Sequence, residues 1–273
     1  MPELPEVEYL RRQLERALVG ARITSCEILL PRLVTHPSPA TYRRALQGRG
    51  ITWIRRRGKY LIFGLDHGLE FVIHLGMTGS LAFSPPGEKR PRHTHIVYHL
   101  EDGRNLLYTD PRTFGETALV PRGDYRSLRG LHHMGPEPLS DDFTPQVLSS
   151  RLRGSCRIKS ALLDQSRVAG IGNIYADEML HRAGIHPLRR LDSIGPRETE
   201  RLYRAMKEVL SDGIALGGST ISDYVDLEGE RGNFQEEHRV YRREGLPCPM
   251  CGDTICRIRV GGRSSYFCPR CQR

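Results

Sequence analysis

Four cysteines near the carboxyl end of the chain are spaced as ligands for one metal ion. Cys248 and Cys251 form one Cys-x-x-Cys pair, Cys268 and Cys271 form a second, and 16 residues separate the pairs. This spacing is typical of zinc sites in which four thiolates surround the ion and leave no open position. A redox dithiol is the alternative, but the sequence around the cysteines lacks the βαβ pattern of such proteins. The spacing predicts one structural Zn²⁺, whose binding stabilises a tail too short to bury a core of its own.

The second residue of the chain, Pro2, could supply a nucleophile. Initiator methionine is normally removed before so small a residue, which would expose the imino nitrogen of Pro2. An α-amino group has a pKa of about 8, so an appreciable fraction is uncharged at neutral pH and can attack an electrophilic carbon. Glu3 and Glu6 follow in the first turn of a predicted helix. The alternative is ordinary helix capping, because proline and acidic residues are common at helix starts.

Positive charge is concentrated in three stretches of a chain of 273 residues with a formal net charge of +9. The stretches are 55–59, 88–92 and 242–273, and the last contains seven arginines and two acidic residues. Such clusters bind polyanions because each neutralised phosphate releases a condensed counterion. They are equally compatible with solvated surface, and the composition leaves both interpretations open.

Composition excludes several classes of protein. Hydrophobic residues make up 38% and charged residues 27%, which is too apolar for a disordered chain. No apolar run approaches the 20 or so residues of a membrane-spanning helix, and the acidic start lacks the apolar region of a secretory signal. Seven cysteines, an odd number, argue against a secreted disulfide framework. We expect a cytoplasmic protein in which Cys26, Cys156 and Cys256 are small core residues.

The hydrophobic pattern divides the chain into successive parts. Apolar residues recur at helical spacing over 2–18, and many short alternating runs between 22 and 121 are typical of a β-sandwich. Helical patterns follow a breaker-rich segment at 134–139. Residues 217–237 show little periodicity and predict a long loop of the kind that is often functional. The tail at 245–273 predicts a hairpin between the cysteine pairs, with Gly261 and Gly262 at its turn.

Motifs distributed in order from residue 2 to residue 273 resemble those of formamidopyrimidine-DNA glycosylases. Besides the four-cysteine finger, they lie at 2–8, 56–61, 74–79, 108–115, 135–139, 170–175 and 217–220. The resemblance implies an α+β multidomain fold with an N-terminal β-sandwich domain and flanking helices over 1–133. It further implies a helical helix–two-turns–helix domain over 134–237, which includes a lesion-sensing loop at 217–237. A zinc-finger hairpin over 238–273 completes the expected fold.

The resemblance also implies base-excision repair of oxidised purines, namely 8-oxoguanine and formamidopyrimidines, in duplex DNA. Pro2 would attack C1′ of the damaged nucleotide to form an iminium (Schiff-base) intermediate, and β- and δ-elimination would then cleave the strand. Glu3 is implied as the acid that protonates the opening sugar, and Lys59 and Arg263 as proton donors in β- and δ-elimination. Glu6 is a secondary candidate that orders water or charge nearby.

Six further residues are implied to contact DNA. The target base must leave the duplex, at a cost of a few kcal/mol, and the gap must be filled. The resemblance assigns this task to Met77 as a flexible filler, Phe114 as a wedge and Arg112 as a hydrogen-bonding partner of the orphaned base. The three residues that align with DNA-backbone contacts are His93, Lys159 and Asn173.

The resemblance leaves two alternatives and one uncertain segment. An endonuclease VIII-like glycosylase would prefer oxidised pyrimidines, although the Met77, Arg112 and Phe114 set favours the purine branch. A non-catalytic zinc-finger DNA-binding protein would bind DNA without chemistry. Arg242 stands where glycine is usual and His238 where an apolar residue is common, so lesion preference is left open along 221–240. The expected partner is double-stranded DNA with oxidised bases or abasic sites, and the chain is expected to be monomeric, nucleoid-associated and independent of membranes.

Overall fold

The computed structural model describes residues 2–222 and 224–273, which divide into two compact units. The first unit comprises Met1–His132 and Gly217–Asn233, and the second comprises His133–Leu216 and Phe234–Arg273. Within the described residues, no helix combines the length and the apolarity that crossing a membrane requires. The helices are α1 (Leu4–Leu18), α2 (Pro39–Leu46), α3 (Arg129–His132), α4 (Pro145–Arg151), α5 (Ile158–Leu163), α6 (Asn173–Ala183) and α7 (Pro196–Ala215).

Among the described residues, nine strands belong to the first unit and two to the second. Those of the first unit are β1 (Arg22–Ile28), β2 (Val34–His36), β3 (Arg49–Arg57), β4 (Tyr60–Leu65), β5 (Leu69–His74), β6 (Ser80–Ser84), β7 (Thr94–Leu100), β8 (Asn105–Thr109) and β9 (Glu116–Pro121). Those of the second unit are β10 (Cys256–Val260) and β11 (Arg263–Phe267).

The nine strands form one hydrogen-bonded sheet that folds back on itself. Their order is β2-β9-β5-β4-β3-β1-β7-β8-β6, and the connection between β3 and β1 is short, with Arg22 opposite Gly50 and Ile23 opposite Arg49. In a flat sheet β5 and β7 would stand about 19 Å apart, at roughly 4.8 Å per strand. The ring centroids of Phe71 in β5 and Tyr98 in β7 are instead 5.5 Å apart. The two halves therefore face each other across a shared core, as the predicted β-sandwich requires.

Helix α1 packs its apolar face into this core. Leu10, Leu14 and Leu18 are fully buried, and they belong to the same cluster as the strand residues. The spacing of these leucines places them on one side of the helix, since 3.6 residues complete a turn. The residues that precede the helix are thereby held against the sandwich, and Pro2 and Glu3 are both buried.

The second unit is built on α6 and α7, followed by the β10–β11 hairpin. Helix α7 buries an apolar stripe of Leu202, Met206, Val209, Leu210 and Ile214. In the hairpin, Val260 pairs with Arg263, and Gly261 and Gly262 at the turn have φ values of 55° and 78°. Glycine is suited to these positions because left-handed backbone strains other residues. The predicted hairpin is confirmed.

Candidate active site and zinc centre

The amino-terminal acids cap helix α1 and are buried beside Pro2. The Glu3 backbone N–H donates to Glu6 Oε2 at 2.7 Å, and the Glu3 side chain accepts from the Glu6 backbone. This reciprocal pair satisfies two of the backbone donors that every helix start leaves unpaired. The predicted alternative of helix capping therefore applies to Glu3 and Glu6, and the same capping box fixes the backbone directly after the buried Pro2.

The other oxygen of the Glu6 carboxylate anchors the start of the predicted lesion loop. Ser219 N–H donates to Glu6 Oε1 at 2.7 Å, and further along the loop the Leu227 N–H donates to Gln13 Oε1 at 3.1 Å. Gln13 lies on α1 as well, so this helix holds the loop at two points. Glu6 and the loop are each recognisable in the sequence, but their connection through Ser219 has no sequence signal, since 213 residues separate the two partners.

Gly218→Ala is expected to disturb the amino-terminal site through Glu6. Gly218 has a φ of 82°, and a Cβ at this position would lie 2.6 Å from Glu6 Cγ. Left-handed backbone costs a non-glycine residue roughly 1–2 kcal/mol, and the contact adds displacement of the Glu6 carboxylate. We expect single-turnover base excision to fall about tenfold, which corresponds to roughly 1.4 kcal/mol.

Gly229→Ala is the matched control for this substitution. Gly229 has a φ of 86°, but a Cβ there would meet nothing within 4 Å. Both variants therefore introduce similar backbone strain, and only Gly218→Ala presses on Glu6. Equal excision rates for the two variants would show that the Glu6 contact has no effect on the reaction.

Lys59 lies in the tight turn between β3 and β4. Gly58 adopts a φ of 55°, which lets Arg57 pair directly with Tyr60 across the turn. The lysine is 6% exposed, so its stem is packed rather than free in solvent. Burial, with a contribution from the positive charge of Lys59, lowers the pKa of His74 to about 4. The imidazole of His74 is therefore neutral at pH 7.

The residues expected to fill the DNA gap are exposed apolar side chains, as their implied task requires. Met77 is 40% exposed and Phe114 is 59% exposed. The Arg112 guanidinium carbon lies 4.8 Å from the centroid of the Phe114 ring. An arginine over an aromatic face is a favourable electrostatic arrangement. The structure thus excludes a core role for Met77 and Phe114.

A buried aspartate holds the loops that carry these three side chains. Asp110 is fully buried, and its carboxylate accepts hydrogen bonds from Thr78 Oγ1 at 2.6 Å and from the Gly115 N–H at 2.9 Å. The Asp110 N–H donates to the carbonyl of His93 at 3.0 Å, and His93 itself is exposed with a φ of 65°. Asp110 was predicted only as part of the motif at 108–115. An acidic residue that begins the connection between two strands often orders that connection.

The four predicted zinc ligands converge on one point in the second unit. Their sulfur atoms all lie within 4.8 Å of one another, with 3.4 Å between Cys251 and Cys268 and 3.9 Å between Cys248 and Cys271. A Zn²⁺ ion with bonds of about 2.3 Å in a tetrahedron requires sulfur–sulfur distances of about 3.8 Å. The donor set and its geometry therefore fit one structural zinc ion, which orders the finger.

The remaining cysteines occupy different environments. Cys26 is buried in the core of the sandwich, as predicted. Cys156 is exposed and Cys256 is only partly covered, so the prediction of a core position is wrong for both. Cys156 lies in the polar segment before α5, and the side chains of β10 alternate between covered and open sides. Residue type alone could not distinguish these positions.

Lys159 and Asn173 contact the backbone of the finger beside Arg263. Lys159 Nζ and Asn173 Nδ2 each donate to the Ser264 carbonyl at 3.0 Å. Lys159 is fully buried and also pairs with Asp177 Oδ1 at 2.7 Å, while Asp177 Oδ2 accepts from the Tyr266 N–H at 3.1 Å. Arg263, the first residue of β11, is exposed. Asp177 was not predicted as a functional residue, and its sequence signal is an acidic residue in a mostly buried helix.

Three family models match successive parts of the chain. The formamidopyrimidine-DNA glycosylase N-terminal domain matches residues 1–117, and the H2TH domain of the same enzymes matches residues 134–225. A zinc finger found in these glycosylases and in isoleucyl-tRNA synthetases matches residues 245–273. The chain belongs to the formamidopyrimidine-DNA glycosylase family. The predicted fold class and the structural zinc of this family are thereby confirmed.

Relatives in the formamidopyrimidine-DNA glycosylase family match the chain over its full length. The enzyme of Pelotomaculum thermopropionicum is 46% identical over 100% of this chain and 99% of its own. The crystal structure of the MutM (Fpg) protein from Thermus thermophilus has a TM-score of 0.90 at 44% identity, covering 99% of this chain and 98% of its own. A complex of the Lactococcus lactis enzyme with DNA containing an abasic site has a TM-score of 0.92 at 38% identity, covering 99% of each chain.

Proposed function

We propose that this protein is a DNA glycosylase and abasic-site lyase that removes oxidised purines from duplex DNA. The observation that carries the proposal is the full-length match to glycosylases of this family, including a Lactococcus lactis enzyme solved with Fapy-dG DNA. The burial of Pro2 and Glu3 at the start of α1 supports it, because a nucleophile and an acid then share a desolvated site. We place this activity in the cytoplasm, on nucleoid DNA, in a monomer.

The proposed reaction begins with attack of the Pro2 nitrogen, freed by removal of Met1, on C1′ of the damaged nucleotide. A carbon–nitrogen bond forms at C1′ as the bond to the base breaks with its electron pair leaving on the base, and the proton that the Pro2 nitrogen then loses goes to the departing base. Glu3 protonates the ring oxygen of the sugar as the ring opens, and the product is an iminium cation on Pro2. The cation acidifies the C2′ proton, so loss of that proton expels the 3′ phosphate, and a second elimination expels the 5′ phosphate.

Glu6 is proposed as a positioning residue in this reaction. Both of its carboxylate oxygens accept backbone N–H groups, one from Glu3 and one from Ser219. It therefore fixes the backbone of the proposed acid and the start of the loop at 217–237, which we propose as the lesion sensor. Its effect on the sugar is through Glu3 and not through a direct contact.

Lys59→Ala is expected to lower the rate of 8-oxoguanine excision by more than tenfold. The buried lysine in the β3–β4 turn is proposed to donate a proton during β-elimination and to contact the damaged nucleotide. Single-turnover kinetics on a duplex with 8-oxoguanine opposite cytosine measure the effect. Lys89→Ala, which removes an exposed lysine from the cluster at 88–92, is the control and should retain the wild-type rate. An unchanged rate for Lys59→Ala would reject the proposed role.

The other residues are proposed to hold the opened duplex. Met77, Phe114 and Arg112 fill the gap left by the flipped base, and their exposure on loops fixed by Asp110 supports this. Exposed His93 and Arg263 are proposed to bind DNA phosphates, and Arg263 to donate a proton in δ-elimination. For Lys159 and Asn173 we propose positioning of the Arg263 backbone through the Ser264 carbonyl, in place of a direct phosphate contact.

Substrate comparison tests the proposed function against its alternatives. We expect excision of 8-oxoguanine opposite cytosine to be faster than excision of thymine glycol, and the product to be a one-nucleotide gap with phosphate at both ends. Preference for thymine glycol would favour an endonuclease VIII-like activity. Tight binding of both duplexes without strand cleavage would show a non-catalytic DNA-binding protein.

A further inference from the structure

One face of helix α6 carries polar side chains that contact the finger and the segment leading to it. Asn173, Asp177 and His181 recur at intervals of four residues, so they share a side of the helix. Asn173 and Asp177 bind the backbone of β11, as described above. Neighbouring Glu178 accepts the N–H groups of residues 239–241. His181, the last of the series, contacts a zinc ligand directly.

The contact joins His181 Nε2 to Cys248 Sγ at 3.4 Å. His181 is fully buried and Cys248 is 3% exposed, so water does not compete for either atom. Across the part of the chain that the structure describes, the other ring nitrogen, Nδ1, has no hydrogen-bond partner. A hydrogen on Nδ1 would be buried and unpaired, and the lone pair of Nε2 would then face the electron-rich sulfur. The favourable tautomer carries its hydrogen on Nε2 and directs it at Cys248.

We propose that His181 donates an N–H···S hydrogen bond to the Cys248 thiolate and thereby positions this ligand and slows loss of zinc from the finger. A donor to a metal-bound thiolate withdraws part of its negative charge and fixes its orientation. Sequence patterns do not indicate this role, because His181 lies 67 residues before Cys248 in a helix with no metal-binding pattern.

Zinc release from the intact protein tests the proposal. His181→Phe keeps a ring of similar size but removes the donor, and we expect it to release zinc to a chromogenic chelator about 10–100-fold faster than wild type. His181→Gln places an amide N–H at a similar distance and should restore most of the slow release. His186→Gln is the control, since His186 packs edge-on against Phe267 of the finger but is not bonded to a zinc ligand.

Replacement of zinc by cobalt gives a spectroscopic measurement that would not change if the role of His181 were purely structural. With Co²⁺ in the site, loss of a donor to the thiolate should shift the sulfur-to-cobalt charge-transfer band of His181→Phe to lower energy. The bands of His181→Gln and His186→Gln should remain close to the wild-type position. Wild-type zinc release and an unshifted band in His181→Phe would overturn the proposal. If His181→Phe and His181→Gln accelerated zinc release equally, the hydrogen bond would not be the cause of the slow release.

Discussion

Pro2→Gly is expected to abolish the covalent adduct that sodium borohydride traps between the enzyme and DNA containing 8-oxoguanine. Attack by the secondary amine of proline gives a permanently charged iminium, whereas a primary amine gives an imine that must first be protonated. Loss of a nucleophile that acts together with its acid is severe, and we expect base excision to fall by at least about 10³-fold. Denaturing electrophoresis of the reduced reaction measures the adduct.

Two controls distinguish loss of the nucleophile from loss of the folded structure. Pro5→Ala removes another proline from the first turn of α1 but leaves the terminal nitrogen unchanged, so the adduct should persist. Binding of Pro2→Gly to DNA with a stable abasic analogue should remain near wild type, because the residues proposed to hold the opened duplex are unchanged. A trapped adduct in Pro2→Gly, or full activity of a protein that mass spectrometry shows to retain Met1, would contradict the proposed mechanism.

Replacement of two zinc ligands is also expected to have a large effect, namely loss of zinc and weaker DNA binding. In the double variant Cys251→Ser, Cys268→Ser, the finger loses two of the four sulfur atoms that converge on the metal. Structural zinc contributes about 10–16 kcal/mol in finger peptides, so the hairpin should no longer hold its fold. Loss of even two arginine–phosphate contacts at roughly 1.4 kcal/mol each corresponds to about 10²-fold weaker DNA binding. Zinc analysis and titration of labelled DNA measure the two quantities.

Cys256→Ser provides the matched control for the zinc-ligand variant. Cys256 lies in β10 of the same hairpin, and its sulfur is outside the four-cysteine cluster. The control should retain zinc and wild-type DNA affinity. DNA binding at wild-type strength by a zinc-free double variant would show that the finger contributes nothing to the complex.

Prediction of the fold succeeded where a local pattern repeats over many residues. Helices α1 and α7 carry apolar residues at helical spacing, and β4 and β5 are nearly continuous apolar runs. Short elements such as β2 and α3 were missed, because three or four residues carry too little periodicity. The return of the sheet across Phe71 and Tyr98 depends on packing between distant strands, which no local pattern encodes.

The candidate site could likewise be predicted from the sequence only in part. The type and spacing of the cysteines were enough to predict the metal centre, since two Cys-x-x-Cys pairs are typical of few other kinds of site. The positioning contacts were not predictable, because each joins a side chain to a distant partner. Glu6 reaches Ser219, Lys159 reaches Ser264, and His181 reaches Cys248. A lysine in particular is expected at the surface from its residue type, whereas the Asp177 carboxylate and the Ser264 carbonyl compensate the burial of Lys159.

The first compact unit is discontinuous along the chain, and this limits how the protein can be divided. The chain leaves this unit at His133 and returns at Gly217 to complete it with Gly217–Asn233. A fragment that stops at residue 132 would therefore lack Ser219 and leave one oxygen of the buried Glu6 carboxylate without that donor. Truncation at the end of the first stretch therefore cannot yield an intact amino-terminal piece, whereas a rearranged chain that keeps 217–233 attached to 2–132 could.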